Sequence, residues 1–372
     1  MAATHSAQIG WRQLLAAGML TPLLAFCSGP ATSAAPATVQ RMPEPAAASP
    51  AATVAPATIY INEVLAHTDE PQVDSLELYN PNAAAVDLTG WCISDDAGKL
   101  DRFCIPPGPK ATIAAHGYVV FEHVAGELPF GFSEFGEDVY LCAPATGGLQ
   151  QVDAVEFGVS PNGVSLGRYV TSTGAVDFPL QSKVTLGAAN AGPLVPAVVI
   201  SEIMYQPGQG PEYLVLTNRS SAAFPLYDPA QPQNRWQVLG IGNNNGEYTL
   251  PAQTILRSGE SVVLTADPQA FLAAYPARSV RIFGPFSGKL DNSGERIILQ
   301  APQPPETDGS VAYADMDVVD YGVTAPWPAA GAAGQPLVRI DLGAYGNDPA
   351  NWQTGTAAGT VEPMLMLPLV AR

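Results

Sequence analysis

Short runs in which apolar and polar residues alternate dominate this chain. In Ser75-Leu-Glu-Leu-Tyr79, Leu76 and Leu78 fall on one face and Glu77 and Tyr79 on the other, the period-two signature of a β-strand. Asn80-Pro-Asn82 then turns the chain. Ile59-Tyr-Ile-Asn-Glu-Val-Leu65 is more continuously apolar and reads as a buried strand. Val86-Asp-Leu-Thr-Gly-Trp-Cys-Ile93 follows, is turned back by Ser94-Asp-Asp-Ala-Gly98, and a further strand around Arg102–Ile105 stops at Pro106-Pro-Gly-Pro109. Strands recurring at such short intervals, with Gly, Pro and Asn between them, predict antiparallel sandwiches. Only Asp267-Pro-Gln-Ala-Phe-Leu-Ala-Ala-Tyr275 has helical spacing, with Asp267 as N-cap, Pro268 at the first helical position and Phe271, Leu272 and Tyr275 on one face.

The pattern occurs twice. Ile61-Asn-Glu-Val-Leu65 and Ser75-Leu-Glu-Leu-Tyr-Asn-Pro81 return as Ile200-Ser-Glu-Ile-Met204 and Glu212-Tyr-Leu-Val-Leu-Thr-Asn218. Gly136-Glu-Asp-Val-Tyr-Leu-Cys-Ala-Pro144 returns as Gly294-Glu-Arg-Ile-Ile-Leu-Gln-Ala-Pro302. Val152-Asp-Ala-Val-Glu-Phe-Gly158 and Leu166-Gly-Arg168 return as Val318-Val-Asp-Tyr-Gly322 and Leu337-Val-Arg339. Four matches in one order imply two copies of one domain, and the period is too long for a solenoid.

The motifs of the first copy, closing with Gly163-Val-Ser-Leu-Gly-Arg168, resemble the lamin-tail domain, which in bacteria is an immunoglobulin-like module of extracellular proteins. Val73-Asp-Ser-Leu-Glu-Leu78 departs from the Glu-Trp-Ile-Glu-Leu run usual in that family, so no surface contact near residue 75 is inherited. The second copy resembles the longer variant of the family, through Asn234-Arg-Trp236, Gly284-Pro-Phe-Ser-Gly288 and Pro326-Trp-Pro328. The expected fold is all-β: two immunoglobulin-like antiparallel β-sandwiches in tandem, one short helix in the second, and a disordered N-terminal segment. The expected divisions are an export signal (1–37), an Ala/Pro-rich linker (38–57), a first domain (58–172), a linker (173–196), a second domain (197–354) and an apolar tail (355–372).

The export signal rests on Arg12 and the apolar run Leu14–Phe26, which is too short to span a bilayer. No transmembrane segment is expected in the mature chain. Cys27 sits in a lipoprotein-like context, but Phe26 stands where a small residue is required, which argues against a lipid anchor. The expected location is secreted or cell-surface. Met364-Leu-Met-Leu-Pro-Leu-Val-Ala-Arg372 reads as a docked edge strand or as a sorting signal.

Charge changes the picture by exclusion. The formal net charge is −18, and residues 58–172 carry sixteen acidic side chains against Lys99, Arg102, Lys110 and Arg168. Phosphate backbones would be repelled, so nucleic acid is not an expected partner.

Candidate chemistry is sparse. Cys92 and Cys104 flank one turn and are the expected disulfide, worth about 3 kcal/mol in the loop-entropy account; Cys142 could pair with either or stay a buried thiol. Trp91 and Trp236 are the expected core anchors. His67, His116 and His123, all in the first copy, read as surface histidines. Glu63 and Glu77, matched to Glu202 and Glu212, can be read as an acid–base pair, though carboxylates accepting backbone N–H bonds are the plainer reading. Asp95, Asp96, Asp315 and Asp317 are possible weak calcium ligands, without the EF-hand spacing; otherwise no cofactor or metal is expected. Asn218-Arg-Ser220 matches a glycosylation sequon, which occurs often by chance. The expected function is non-catalytic: an exported binding or scaffold protein for an unknown protein or cell-envelope polymer, its oligomeric state left open. The alternative is a carbohydrate-binding module or glycan-active enzyme, which needs exposed aromatics beside carboxylates.

Overall fold

The computed structural model describes residues 57–241, 246–331 and 334–355. The export signal, Cys27, nearly all of the 38–57 spacer and all but the first residue of the tail lie outside the described residues. Among the described residues, no helix is long and apolar enough to cross a membrane.

Alternation along the strands builds two sandwiches. In the first, Tyr60–Leu65 pairs antiparallel with Leu166–Gly167 on one side and Ser75–Tyr79 on the other, and Tyr118–Glu122 completes the sheet. The facing sheet runs Phe103–Cys104, Cys92–Ser94, Glu137–Ala145, Gly148–Phe157. Ile61, Leu76 and Leu78 from one sheet meet Ile93, Val139 and Leu141 from the other, and Trp91 lies in this core. In the second sandwich a six-stranded sheet faces four strands ending in the hairpin Gly294–Pro302 and Tyr313–Gly322. Its core holds Trp236, edge-on to Phe224.

The two halves share their irregularities as well as their strands. A β-bulge falls between Ile61 and Glu63 and again between Ile200 and Glu202. A second falls at Leu141/Cys142 and again at Leu299/Gln300. Gly136 and Gly294 both take positive φ (94° and 112°), and a Cβ there would lie 2.5 Å from Phe157 O and 2.6 Å from Tyr321 O. Only glycine fits either turn.

One pairing departs from the antiparallel expectation: Arg281–Phe283 runs parallel to Ser261–Thr265. The helix Pro268–Ala274 makes the crossover that parallel neighbours need. Asp267 caps it, its carboxylate accepting from Ala270 N at 2.9 Å. Phe271 and Tyr275, one turn apart, pack on Tyr213, but Leu272 is 46% exposed. A residue next in sequence to Phe271 points about 100° away around the helix, so Leu272 leaves the face on which it was expected.

The segment expected as the 173–196 linker is packed rather than slack. Val176–Asp177 pairs with Tyr169–Val170, and Leu180 enters the first core. Residues 182–192 then lie as a strap across the outer face of the first sheet, over Glu63 and Glu77. The helix performs the same covering in the second sandwich, where Met204, Val215 and Val263 are buried beneath Phe271.

The sandwiches form one compact unit. Met316 packs against both cores. Asp348 of the second accepts from Ser172 N (2.9 Å) and Ser172 Oγ of the hairpin that follows the first. Asp177 answers by accepting from Tyr345 Oη (2.6 Å) and Asn347 Nδ2 (2.8 Å). Asp348→Ala removes the acceptor for both Ser172 bonds. Its expected result is thermal unfolding in two resolved transitions where the parent shows one, read by calorimetry; a single transition at the parent temperature would show that the joint does not couple the sandwiches.

Candidate functional site

The repeated polar letters are best judged by what they touch. Asn80 donates to the carbonyls of Ala84, Ile113 and Ala114, and Asn218 donates equivalently to those of Ala222, Leu256 and Arg257. Each is fully buried and ties a turn to a neighbouring loop. Because Asn218 is consumed in this way, the sequon at Asn218-Arg-Ser220 has no free amide to modify.

Asp153 accepts from Ile61 N (2.7 Å) and Arg168 Nη2 (2.5 Å), and Asp317 accepts from Ile200 N (2.8 Å) and Arg339 Nη1 (2.7 Å). In both sandwiches this clamp joins the first strand, the long hairpin and the closing strand. The second version is the deeper: Arg339 and Asp317 side chains are 0% and 3% exposed, against 10% and 14% for Arg168 and Asp153.

These contacts settle where the four calcium candidates go. Across the bulge, Asp317 opposes the core residue Leu299, while Asp315 opposes Gln300 and accepts from its Nε2 at 2.7 Å. Cross-strand partners share a face, so the two aspartates sit on opposite faces of their strand and cannot hold one ion. Asp95 is engaged by Arg102, and Asp96 accepts from Gly98 N at 2.7 Å within its turn. Among the described residues, no three His, Cys, Asp or Glu side chains gather at metal-binding range.

The glutamates form the most unusual polar site. Glu63 and Glu77 are direct cross-strand partners, both 0% exposed. Glu63 accepts from Ser165 Oγ (2.5 Å), Thr185 N (2.8 Å) and Thr185 Oγ1 (2.7 Å). Glu77 accepts from Asn62 Nδ2 (2.6 Å) and Gly187 N, and Asn190 links the strap to Asn62. Burial pushes the Glu77 carboxyl up to about 7, with repulsion from Glu63 adding to the effect and the bonds from Asn62 and Gly187 opposing it. Both carboxylates accept backbone N–H bonds from the strap, Glu63 from Thr185 and Glu77 from Gly187. Sequence alignment matched Glu77 with Glu212, and the register corrects this: Glu202 opposes Val215, and Glu212 takes the place of Asp74. Asp74 and Glu212 do the same work, accepting from Phe132 N (2.9 Å) and Leu290 N (2.7 Å). Glu202 is instead bound by Arg278 and by Tyr213 Oη (2.5 Å).

The histidines do not converge on the glutamates. His116 sits in a turn with φ 53° and is exposed. His67, half-buried, lies 2.8 Å from Ser160 O and 3.5 Å from Glu134, so it is less superficial than expected. His123 and Glu134 border an open polar recess of about 280 Å³, whose one other carboxylate, Asp74, is already used.

The cysteines are as expected in part: Cys92 and Cys104 are bridged, and Cys142 is a buried free thiol.

Residues 52–158 match the Lamin Tail Domain family model. No curated protein matches the chain. The lamin-tail match covers both sheets of the first sandwich as far as the Gly148–Phe157 strand, and so includes Glu63, Glu77, Asp153, Cys92, Cys104 and Cys142. It stops before Leu166–Gly167, Arg168 and the strap. An immunoglobulin-like module of this kind points to a binding or scaffold role without catalysis.

What sequence reasoning missed is the joint and the strap: Ser165, Ser172, Asp177, Thr185, Asn190, Tyr345 and Asp348. Asp348-Pro349 did carry a signal, since an acidic cap before proline marks a helical turn, here Pro349–Asn351. Nothing in it announces the partner at Ser172.

Proposed function

We propose that this chain is an exported, non-catalytic binding protein whose two tandem lamin-tail-like sandwiches act in adhesion or scaffolding at the cell surface or in the medium. The observation that carries this reading is the matched use of polar residues in the two halves. Asn80 and Asn218, Asp74 and Glu212, and the Asp153–Arg168 and Asp317–Arg339 clamps all spend their polar atoms on the protein's own backbone. Polar atoms bonded in this way are already engaged in holding the fold. The shared bulges support treating the second half as another lamin-tail-like copy. The apolar run at 14–26 and the disulfide support export to an oxidising compartment.

Recognition then belongs to the loops and edge strands at the surface. The acidic balance favours a neutral or cationic envelope polymer or protein over an anionic one. The carbohydrate alternative loses Trp91, Trp236 and Trp352 as stacking platforms because all three are buried, and its remaining candidates include half-buried Trp327 and Phe135, which is 52% exposed.

The test has two arms. A reporter fused to residues 1–37 is expected to leave the cytoplasm of the producing cell. The mature chain, labelled and titrated onto washed envelopes of that cell, is expected to bind saturably and to survive there chemically unchanged. Retention of the reporter inside the cell removes the export reading. Turnover of envelope glycan that Glu63→Gln or Glu77→Gln abolishes would replace binding with catalysis.

A further inference from the structure

The three cysteines of the described chain stand in one row. Cys92 is the direct cross-strand partner of Cys104 on one side and of Cys142 on the other. The flanking residues fix the face. Ile93 and Leu141 are partners inside the first core, and Phe103, the partner of Ile93, packs against it. Side chains alternate along a strand, so Cys92, Cys104 and Cys142 all point to the opposite face. Directly opposed residues of an antiparallel pair bring their Cβ atoms to about 4.5–5.5 Å, within a small adjustment of the 3.5–4.5 Å that a disulfide spans.

The row is ordered by exposure as well as by position. Cys104 is exposed, whereas Cys92 and Cys142 are 1% and 0% exposed. The bridge joins the outer and the middle cysteine, and the free thiol is the inner one. A nucleophile at Cys142 thus faces the middle sulfur from the side away from its bonded partner. That is the approach thiol–disulfide exchange requires.

We infer that Cys142 exchanges with the Cys92–Cys104 bridge, making Cys104 a switchable surface thiol. The Cys142 thiol loses its proton to solvent and its sulfur attacks Cys92 Sγ. The Cys92–Cys142 bond forms, the Cys92–Cys104 bond breaks, and Cys104 departs as a thiolate that takes up a proton. One disulfide and one thiol stand on each side, so no external oxidant or reductant is consumed. The two forms differ in what the surface offers: a sealed bridge in one, and in the other a thiol at residue 104 open to modification or to a mixed disulfide with a disulfide-bearing partner. Burial raises the Cys142 thiol above its usual range, so the sealed form persists at neutral pH.

The mature protein, which lacks residues 1–37 and with them Cys27, is treated with a maleimide without added thiol and mapped by non-reducing peptide analysis. The expected product carries maleimide on Cys104 with Cys92 joined to Cys142. The initial labelling rate is expected to rise roughly tenfold per pH unit between pH 7 and 8, following the thiolate fraction. Cys142→Ala keeps the original bridge and is expected to leave Cys104 unlabelled over the same period. Cys104→Ser is expected to be isolated with a Cys92–Cys142 bridge. Label on Cys142 with the original bridge intact, equal labelling of Cys104 in Cys142→Ala, or two free thiols in oxidised Cys104→Ser would each overturn the exchange.

Discussion

Arg339→Met is expected to destabilise the second sandwich by about 3–5 kcal/mol, because it leaves the Asp317 carboxylate inside the protein without its counter-ion. The Asp317 carboxylate is 3% exposed and holds Ile200 N as well as the guanidinium, so water cannot replace the lost partner. Arg339 also donates to Ile200 O and Ala344 O, which fastens the closing strand to the first strand and to the loop leading to Asp348. Two comparisons make the prediction specific. Arg168→Met removes the equivalent clamp where both partners retain some contact with water, and its cost should be clearly smaller. Combining Arg339→Met with Asp317→Leu removes both charges and is expected to recover much of the loss. Urea denaturation of the four proteins checks the order. Equal costs for the two single arginine variants would show that depth of burial does not set the clamp's value.

The second large effect concerns pH and runs opposite to the usual behaviour of a carboxylate. Glu77 has a folded value of about 7 against 4.5 when unperturbed, so the folded chain holds its proton where the unfolded chain has released it. Its contribution to stability is therefore complete below pH 4.5 and is lost as pH rises to 7. The difference corresponds to about 3 kcal/mol at roughly 1.4 kcal/mol per pH unit. Glu77→Gln cannot ionise and keeps one of the two oxygens that accept from Asn62 and Gly187. Subtracting its stability profile from that of the parent isolates the group from other carboxyls that burial also raises, among them the half-buried Glu137, Glu212 and Glu295 and the buried Asp317. The parent is expected to lose about 3 kcal/mol relative to the variant between pH 4.5 and 7.5, measured by denaturant titration. Parallel profiles would place the proton elsewhere.

The sequence carried the strands, the duplication and the capped helix, because each is written locally. Leu76 and Leu78 alternate with Glu77, Asp267 precedes Pro268, and Gly136 recurs as Gly294 where no Cβ fits. It also carried the disulfide, whose partners bracket a single turn. The strap was illegible for a physical reason. Gly187, Ala188 and Asn190 have the composition of slack chain, yet the groups that dock them are a backbone N–H and one amide, which leave no trace in hydrophobic pattern. The partner of Glu63 was identified, but the counterpart of Glu77 was misplaced. The bulges at Asn62 and Ser201 are alike in both halves; Glu212 resembles Glu77 only in residue type, and the register puts Val215 opposite Glu202. The joint at Ser172, Asp177, Tyr345 and Asp348 depends on residues more than 160 positions apart, beyond any local rule.

The strap gives the pair of sandwiches a mechanical property. Residues 173–196 are the only covalent route from one sandwich to the next, and their attachments to Glu63 and Glu77 lie outside both cores. A pull on the two ends would load the carboxylate contacts and the Ser172–Asp348 tie first, while the hydrophobic interiors stay closed. Peeling the strap at 182–192 alone would release roughly 36 Å of extended chain and leave Leu180 in the first core. Such a reserve of length would let a tethered protein yield under shear and re-dock when the load falls.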